Sequence, residues 1–295
     1  MTATAGNAII AALRDDVDRL LAAEPDVRAD APDSVHQMRV ATRRLRSVLR
    51  SYRSLFERAS AASMGEELKW LAGVLGVARD AEVRGERFEA LLTKHAQQGE
   101  HSEAELAPVT ARLVTAQQER YAAAHADVLL ALDSPRYRDL RDELTHWRTE
   151  PPLRARRAEV PAAEFFGVVL QRDRERVERL IQLEPTVTAD ERVELLHDIR
   201  KSAKRLRYSC EAAEQVLAAA ATGLGGRAKR LQTVLGDHRD AVESQHALYG
   251  IAADAGAAGE DPALYRVLAG AEDTAARQAL SRYPEAAAAL TANGD

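Results

Sequence analysis

The sequence predicts an all-α protein, and three observations carry that reading. Alanine, leucine, arginine and glutamate dominate the composition, and all four favour helices. Apolar residues recur at helical spacing along most of the chain. Runs of β-branched residues with period two are nearly absent. Apolar residues make up 46% of the 295 and charged residues 29%, a balance that predicts a folded chain with a substantial core, in one domain or two. Aromatic residues at 4% are thin for a β-sandwich, and thin for a surface that stacks on nucleobases.

Ile9, Leu13, Val17, Leu20 and Leu21 predict a first helix over roughly 5–24, and Pro25 and Pro32 bracket the short connection after it. Ser34 with Gln37 reads as a capping box opening a second helix that runs to about Arg58. A third helix is expected over 64–95, an alanine- and leucine-rich one over 102–132, and a shorter one over 136–148. Pro151, Pro152 and Pro161 interrupt the pattern, so 149–163 is the candidate boundary between an N-terminal bundle (1–150) and a C-terminal bundle (160–292). Beyond it a helix is expected over 164–183. Thr188 and Glu191 form a second capping box for a helix ending near 220. Gly223, Gly225 and Gly226 suggest a turn before a helix over 227–254, and one or two short helices finish the chain over 262–292.

The two halves repeat. His36-Gln37-Met38-Arg39 and Arg43-Arg44-Leu45-Arg46 align with His197-Asp198-Ile199-Arg200 and Lys204-Arg205-Leu206-Arg207, 161 positions on (36 to 197). Lys69, Leu71, Val74, Leu75, Gly76, Arg79 and Asp80 align with Lys229, Leu231, Val234, Leu235, Gly236, Arg239 and Asp240, 160 positions on (69 to 229). Two ordered blocks at nearly one offset predict duplication of a helical unit, giving two pseudo-symmetric antiparallel bundles.

The repeated helices are strongly basic on one side. On a helical wheel His36, Arg39, Arg43, Arg46 and Arg50 fall within a stripe about 80° wide, opposite Ala41, Leu45, Val48, Leu49, Tyr52, Leu55 and Phe56. From His36 to Arg53 there are six arginines and no acid, so nothing inside the helix neutralises the row. His197, Arg200, Lys204 and Arg207 form the second stripe, with Lys201 and Arg205 on its flanks and Glu211 closing it. Cations three or four positions apart recur about every 5 Å along a helix, a repeat that suits a linear anion. Arginine forks bind phosphate oxygens bidentately and lysine supplies a mobile point charge. Without an anion the same row repels itself. Lys69 and Lys229, each on a face shared with a glycine and an aspartate, read as helper contacts, with Arg79 and Arg239 near the edge of that face. Asp80 and Asp240 read as carboxylates that orient arginines.

Other readings stand beside this one. The basic faces could be solvated, or paired with an acidic helix such as that carrying Glu66 and Glu67. His36 and His197 each allow an anion contact, a hydrogen bond at a helix N-terminus, or a proton donor's role. No glycine-rich phosphate loop, carboxylate cluster or His/Cys set at ligand spacing is present, so neither metal nor cofactor is expected, and no catalytic constellation. Net charge is 41 minus 46, or −5, which with the low aromatic content weighs against nucleic acid. The single Cys210 excludes an intrachain disulfide and reads as a small core residue. The chain carries neither a spanning apolar stretch nor a leader pattern at its start, which predicts a cytoplasmic protein with no membrane partner.

Val35-His36-Gln37-Met38-Arg39-Val40 with Thr42-Arg43-Arg44-Leu45-Arg46, and Leu196-His197-Asp198-Ile199-Arg200-Lys201 with Lys204-Arg205-Leu206-Arg207-Tyr208, resemble the CHAD family, the conserved-histidine α-helical domains. The resemblance covers nearly the whole chain. It implies two pseudo-symmetric helical bundles forming one domain that binds inorganic polyphosphate in a basic groove or pore, without catalysis of its own. It assigns phosphate contacts to His36, Arg39, Arg43, Arg46 and Arg50, and to His197, Arg200, Lys204 and Arg207. Lys69 and Lys229 contribute from adjacent helices, while Arg79, Lys201 and Arg239 lie further out and Arg44 and Arg205 face the rim or an acidic neighbour. Family members are fused to a triphosphate-hydrolysing domain, accompany polyphosphate-metabolising enzymes, or associate with polyphosphate granules. At this length the chain is expected to be a stand-alone binder. A polyphosphate- or triphosphate-processing enzyme and a nucleic-acid or protein scaffold are the alternatives.

Overall fold

The computed structural model describes residues 3–97 and 103–292, and among these the chain is all-α. The helices are α1 (Ala5–Arg28), α2 (Ser34–Ser51), α3 (Arg58–Ala96), α4 (Glu103–Thr110), α5 (Ala116–Asp133), α6 (Pro135–Trp147), α7 (Ala155–Ala158), α8 (Ala162–Leu183), α9 (Ala189–Ala257), α10 (Ala263–Ser281) and α11 (Tyr283–Thr291). A π-helical turn over Ala111–Thr115 joins α4 to α5, and a 3-10 turn over Glu184–Thr186 follows α8. The predicted helix over 102–132 therefore carries one wide turn, and its first residue lies outside the described range.

Two compact units result, each drawing on both halves of the sequence. One comprises 1–75, 129–233 and 284–295; the other comprises 76–128 and 234–283. The core of the first begins where the wheel places it, with Ile9, Leu13, Val17 and Leu20 of α1 buried and α1 packed on α2, α6 and α8. Burying one such side chain stabilises by about 1.5–3 kcal/mol, so this stripe accounts for why α1 docks. The second unit closes around Phe88 and Leu92 of α3, Leu113 and Val114 of the π turn, Leu248 and Ala252 of α9, and Tyr265 and Leu268 of α10.

Several boundaries differ from the sequence reading, each for a local reason. α1 runs through Pro25 to Arg28, since a proline near a helix end forfeits one amide donor while its carbonyl still accepts from Ala29 N at 3.0 Å. The turn that follows relies on Asp30 (φ 50°) and Asp33 (φ 61°), as aspartate tolerates the left-handed region better than most residues. Ser34 does not cap α2. Asp33 holds the N-cap position without a side-chain cap bond, Gln37 Nε2 donates to Asp33 Oδ2 at 2.8 Å, and Ser34 is buried. α2 stops at Ser51 rather than near Arg58, because Tyr52, Leu55 and Phe56 turn inward and are fully buried. Phe56 stacks on Trp147 at 5.8 Å, and Tyr52 packs on Phe166 at 4.6 Å. Thr188 and Glu191 do form the expected box: Thr188 N donates to Glu191 Oε2 at 3.0 Å and Glu191 N to Thr188 Oγ1 at 3.4 Å.

The proline-rich 149–163 segment is pinned by backbone bonds. Glu57 N donates to Pro152 O and Arg154 N to Leu55 O, while Ala5 N donates to Val160 O and Ala162 N to Ala3 O, all at 2.8 Å. A Cβ on Gly6 would meet Ala158 Cβ at 2.9 Å, so only glycine admits this approach.

Gly223, Gly225 and Gly226 are helical, contrary to the expected turn. The break in α9 falls instead at Ala218 (φ 44°, ψ −121°). Gly225 lies so close to Cys210 that an added Cβ would meet Cys210 Cβ at 3.0 Å, and Arg207 reaches Gln232 at 3.2 Å. Both pairs are centred within two residues of Ala218, the signature of a helical hairpin folded there. The glycine serves close packing, and Cys210 is the buried core residue expected of it.

Two buried carboxylates lock the first unit. Asp16 of α1 accepts from Arg44 Nε at 2.8 Å and from Arg19 at 2.9 Å. Asp173 of α8 accepts from Ser51 Oγ at 2.9 Å and Ser209 Oγ at 2.8 Å, and pairs with Arg205 at 3.2 Å. Arg172 donates to the Ser51 carbonyl at 2.7 Å, and the Tyr52 hydroxyl to the Ser209 carbonyl at 2.7 Å. These bonds join α2, α8 and α9.

Two stability outcomes follow. Ala218→Gly should raise stability by about 1 kcal/mol in urea unfolding, because alanine pays for a backbone conformation that glycine adopts freely; an unchanged midpoint would show the residue unstrained. Asp173→Ala should cost about 3 kcal/mol by the same measurement, since it removes the buried acceptor shared by two hydroxyls and the guanidiniums of Arg172 and Arg205. A loss under about 0.5 kcal/mol, ordinary for a surface site, would contradict the network's role.

Candidate functional site

Each basic helix carries two kinds of arginine, divided by its position on the wheel. On α2 the residues Val35, Met38, Ala41, Leu45 and Val48 are buried, and Arg39, Arg43 and Arg46 emerge half-buried at the edge of that packing. On α9 Ile199, Ala203, Leu206 and Cys210 are buried, with Arg200, Lys204 and Arg207 emerging likewise. Arg44 and Arg205, one position behind the rows, turn to Asp16 and Asp173. They meet acidic neighbours, one of the two roles expected of them.

The two rows come together within the first unit. Tyr208 is buried at their junction, with Arg207 at 5.1 Å, Lys204 at 5.7 Å and Arg44 at 5.8 Å from its ring centroid. The π face offers these cations partial compensation, about 1 kcal/mol for a sheltered contact. It does not cancel their mutual repulsion. Burial pushes the Lys204 ammonium down to about 6, helped by Arg43, Arg200, Arg39 and Arg207. Burial also lowers Arg43, together with Arg39, Arg200 and Arg46. Arg46 is lowered by burial and by Arg50.

Carboxylates relieve only part of this crowd. Arg207 pairs with Glu211 at 2.7 Å, and the same glutamate reaches across to Arg44. Among the described residues, the side chains of Arg43, Arg46, Arg50, Arg200 and Lys204 make no hydrogen bond or ion pair. The Nε of Arg200 is buried without an acceptor. A buried donor left unmatched costs about 1–3 kcal/mol, so the geometry presents donors for an anion. The expected alternative, neutralisation by the acidic helix, holds in part: the charge of Glu66 opposes the lowering of Arg46, while Glu66 itself pairs with Lys69 at 3.0 Å and Glu67 with Arg136 at 2.6 Å.

The remaining sequence candidates are distributed as follows. His36 lies half-buried in the first turn of α2; His197 is also half-buried, eight residues into α9, too far along for a role at that helix N-terminus. Lys201 is exposed and paired with Asp198 at 2.6 Å. Lys229 is exposed in the first unit. Arg79 and Arg239 belong to the second unit, where Arg79 pairs with Glu82 at 2.8 Å and Arg239 with Glu243 at 2.6 Å. Asp240, there too, acts with Asp237 to raise Arg87, whose chief partner is the buried Glu272.

Sequence reasoning missed Tyr208 as a site residue, although its spacing from Lys204 (four positions) would have placed the ring beneath that cation. It also missed Arg58 and Arg154. Together with Arg46, Arg50, Arg53 and Lys69 these line a cavity of about 830 Å³ at the C-terminal end of α2. No sequence spacing links Arg154 to that place. Among the described residues, no group of three or more His, Cys, Asp or Glu side chains could hold a metal ion, and no helix is long and apolar enough to cross a membrane.

Known proteins resemble the chain in sequence and in fold. An uncharacterized protein of Mycobacterium tuberculosis, found in strains CDC 1551 and H37Rv, is 39% identical over 260 residues. The match covers 87% of this chain and 48% of that protein, so the chain spans about half the length of the curated relatives it matches. Among solved structures, PptA from Streptomyces chartreusis superposes with a TM-score of 0.78 at 21% identity, covering 96% of this chain and 99% of the other. The CHAD domain from the plant Ricinus communis superposes with a TM-score of 0.68 at 24% identity, covering 99% and 93%. At these identities the two structures speak to fold. The CHAD domain model itself matches residues 11–249, and the chain belongs to the CHAD domain family.

Proposed function

We propose that the joined basic faces of α2 and α9 bind inorganic polyphosphate, with His36, Arg39, Arg43, Arg46, Arg50, His197, Arg200, Lys204 and Arg207 as its contacts. The observation that carries this reading is the cluster of Arg43, Arg200 and Lys204, half-buried together without a carboxylate. Such a cluster costs stability in the free protein, and a dense anion offsets that cost. Membership of the CHAD family supports a polyphosphate-related role. A linear polymer fits better than a compact anion because the cations follow a helix axis, from Arg39 to Arg50 over about 16 Å at 1.5 Å per residue. Lys69, Lys201 and Lys229 are outer contacts in this reading. Arg79 and Arg239 contribute least, both being held by glutamates on their own helices. The protein acts as a binder, with association with polyphosphate-metabolising enzymes or granules as its setting. The internal duplication belongs to the same proposal: Arg44 on Asp16 in residues 1–150 has its counterpart in Arg205 on Asp173 in residues 160–292.

Titration with long-chain polyphosphate, ATP, sulfate and RNA tests the reading. Polyphosphate should bind tightest, and the double variant R43E/K204E should lose at least about tenfold in affinity, roughly 1.4 kcal/mol. The slope of affinity against salt should become shallower as phosphate contacts are lost. Equal weak binding of all four ligands, indifferent to the charge reversals, would reject it. Chain shortening by the purified protein would favour an enzyme instead.

Lys204 adds a pH signature. Its folded value lies near 6, below the unfolded value of 10.5, so between these limits the unfolded chain binds the extra proton. Its contribution to stability is therefore highest above pH 10.5 and falls as pH drops toward 6. Lys204→Met should accordingly stabilise the ligand-free protein by about 1 kcal/mol at pH 7 while weakening polyphosphate binding. Binding at pH 7.5 should draw a proton onto Lys204 from the buffer. Calorimetry in buffers of different ionisation enthalpy reads that uptake, and identical heats in all buffers for wild type and variant alike would exclude it.

A further inference from the structure

The cavity at the end of α2 is unlike an ordinary surface hollow. Six cations line it, Arg46, Arg50, Arg53, Arg58, Lys69 and Arg154, against one carboxylate, Glu66, for a formal local charge of 6 minus 1, or +5. Glu66 is occupied by Lys69 at 3.0 Å. Among the described residues, the side chains of Arg50, Arg53, Arg58 and Arg154 make no hydrogen bond or ion pair. The chain assembles this wall deliberately from distant segments. Arg53 sits in the turn that closes α2, Arg58 opens α3, and Arg154 is fixed from the proline-rich segment by its own N–H on the Leu55 carbonyl and by Glu57 N on the Pro152 carbonyl. On the α3 side Ala61, Ala62 and Gly65 keep the cavity open, and a Cβ added at Gly65 would touch nothing within 4 Å.

Arg46 and Arg50 belong to both the α2 row and this cavity. We infer that the cavity is a second, length-reading subsite: a polyphosphate chain lying along the α2 row runs on past Arg50 and is held again by Arg53, Arg58 and Arg154. The inference rests on the polyphosphate reading above. Chemically the two places differ. The row is half-buried and crowded, whereas Arg50, Arg53 and Arg58 are exposed arginines that bind phosphate oxygens at little desolvation cost. Short chains can occupy the row alone; only chains long enough to pass Arg50 gain the second set of contacts. The protein would thus distinguish polymers by length, with Glu66 as the one residue opposing entry.

The test is the ratio of affinities for long-chain polyphosphate and tripolyphosphate at fixed salt, in wild type, R53E/R58E, R154E, the milder R53Q/R58Q and E66Q. Circular dichroism and thermal melting should be unchanged in R53Q/R58Q, whose sites are exposed. We expect the ratio to fall about tenfold in the charge reversals and severalfold in R53Q/R58Q, and to rise in E66Q, as the count of phosphate contacts changes. A ratio unaltered in all of these, with binding still abolished by R43E/K204E, overturns the subsite and leaves the row intact. Long-chain binding that survives R43E/K204E but collapses in R53E/R58E overturns both the continuity and the reading it rests on.

Discussion

The structure is organised around a conflict: cations from two helices are brought together where carboxylates neutralise only some of them. Lys204 sits among Arg39, Arg43, Arg200 and Arg207, and burial together with those neighbours holds it near 6. Like charges so placed would drive α2 and α9 apart unless something behind them were stronger. That something is the pair of buried carboxylates. Asp16 takes Arg44, and Asp173 takes Arg205 with Ser51 and Ser209, so each basic helix is anchored through the arginine adjacent to its row. Glu211 adds a brace from α9 to Arg44. The repulsive face and the anchoring face differ by one residue in sequence, which is about 100° on the helix.

This arrangement explains why the site was partly legible in the sequence. Rows at three- and four-residue spacing are a property of a single helix, so Arg39, Arg43 and Arg46, and Arg200, Lys204 and Arg207, could be read directly. Their convergence was not legible, because it depends on Asp16 and Asp173, two acids among 46 with no motif around them. Arg154 was equally hidden: its place is set by backbone hydrogen bonds from a segment that reads as a linker. The start of α9 was legible, because the Thr188 and Glu191 box places it eight residues before His197.

The same distinction between local and distant causes accounts for the fold. Most helices were legible because one buried stripe suffices to define them. The errors fell where a residue had two physical uses. Glycine both breaks helices and permits close approach, and at Gly225 the second use wins because Cys210 lies against it. Proline ends helices, but Pro25 lies close enough to the end of α1 to be carried within it. Ser34 has the character of a cap, but its position beside the core buries it and passes the N-cap place to Asp33. In each case tertiary packing chose between options that the local sequence left equal.

The choice of cation matters as much as its place. A guanidinium keeps its proton throughout the physiological range even when crowded, so Arg43 and Arg46, though lowered, remain charged. The crowding must therefore be relieved elsewhere, and Lys204 is the member of the cluster able to release a proton near neutral pH. A lysine at this position lets the ligand-free protein shed a unit of charge while keeping the rows geometrically intact. In the proposed complex a bound phosphate would reverse the balance by favouring the ammonium. The net charge of −5 is compatible with this, since Asp16 and Asp173 are spent on Arg44 and Arg205 rather than on the rows, and the field an anion meets is set within about 10 Å by the screening length. Local sorting of charge, one residue to each side of a helix, gives an acidic protein a strongly basic site.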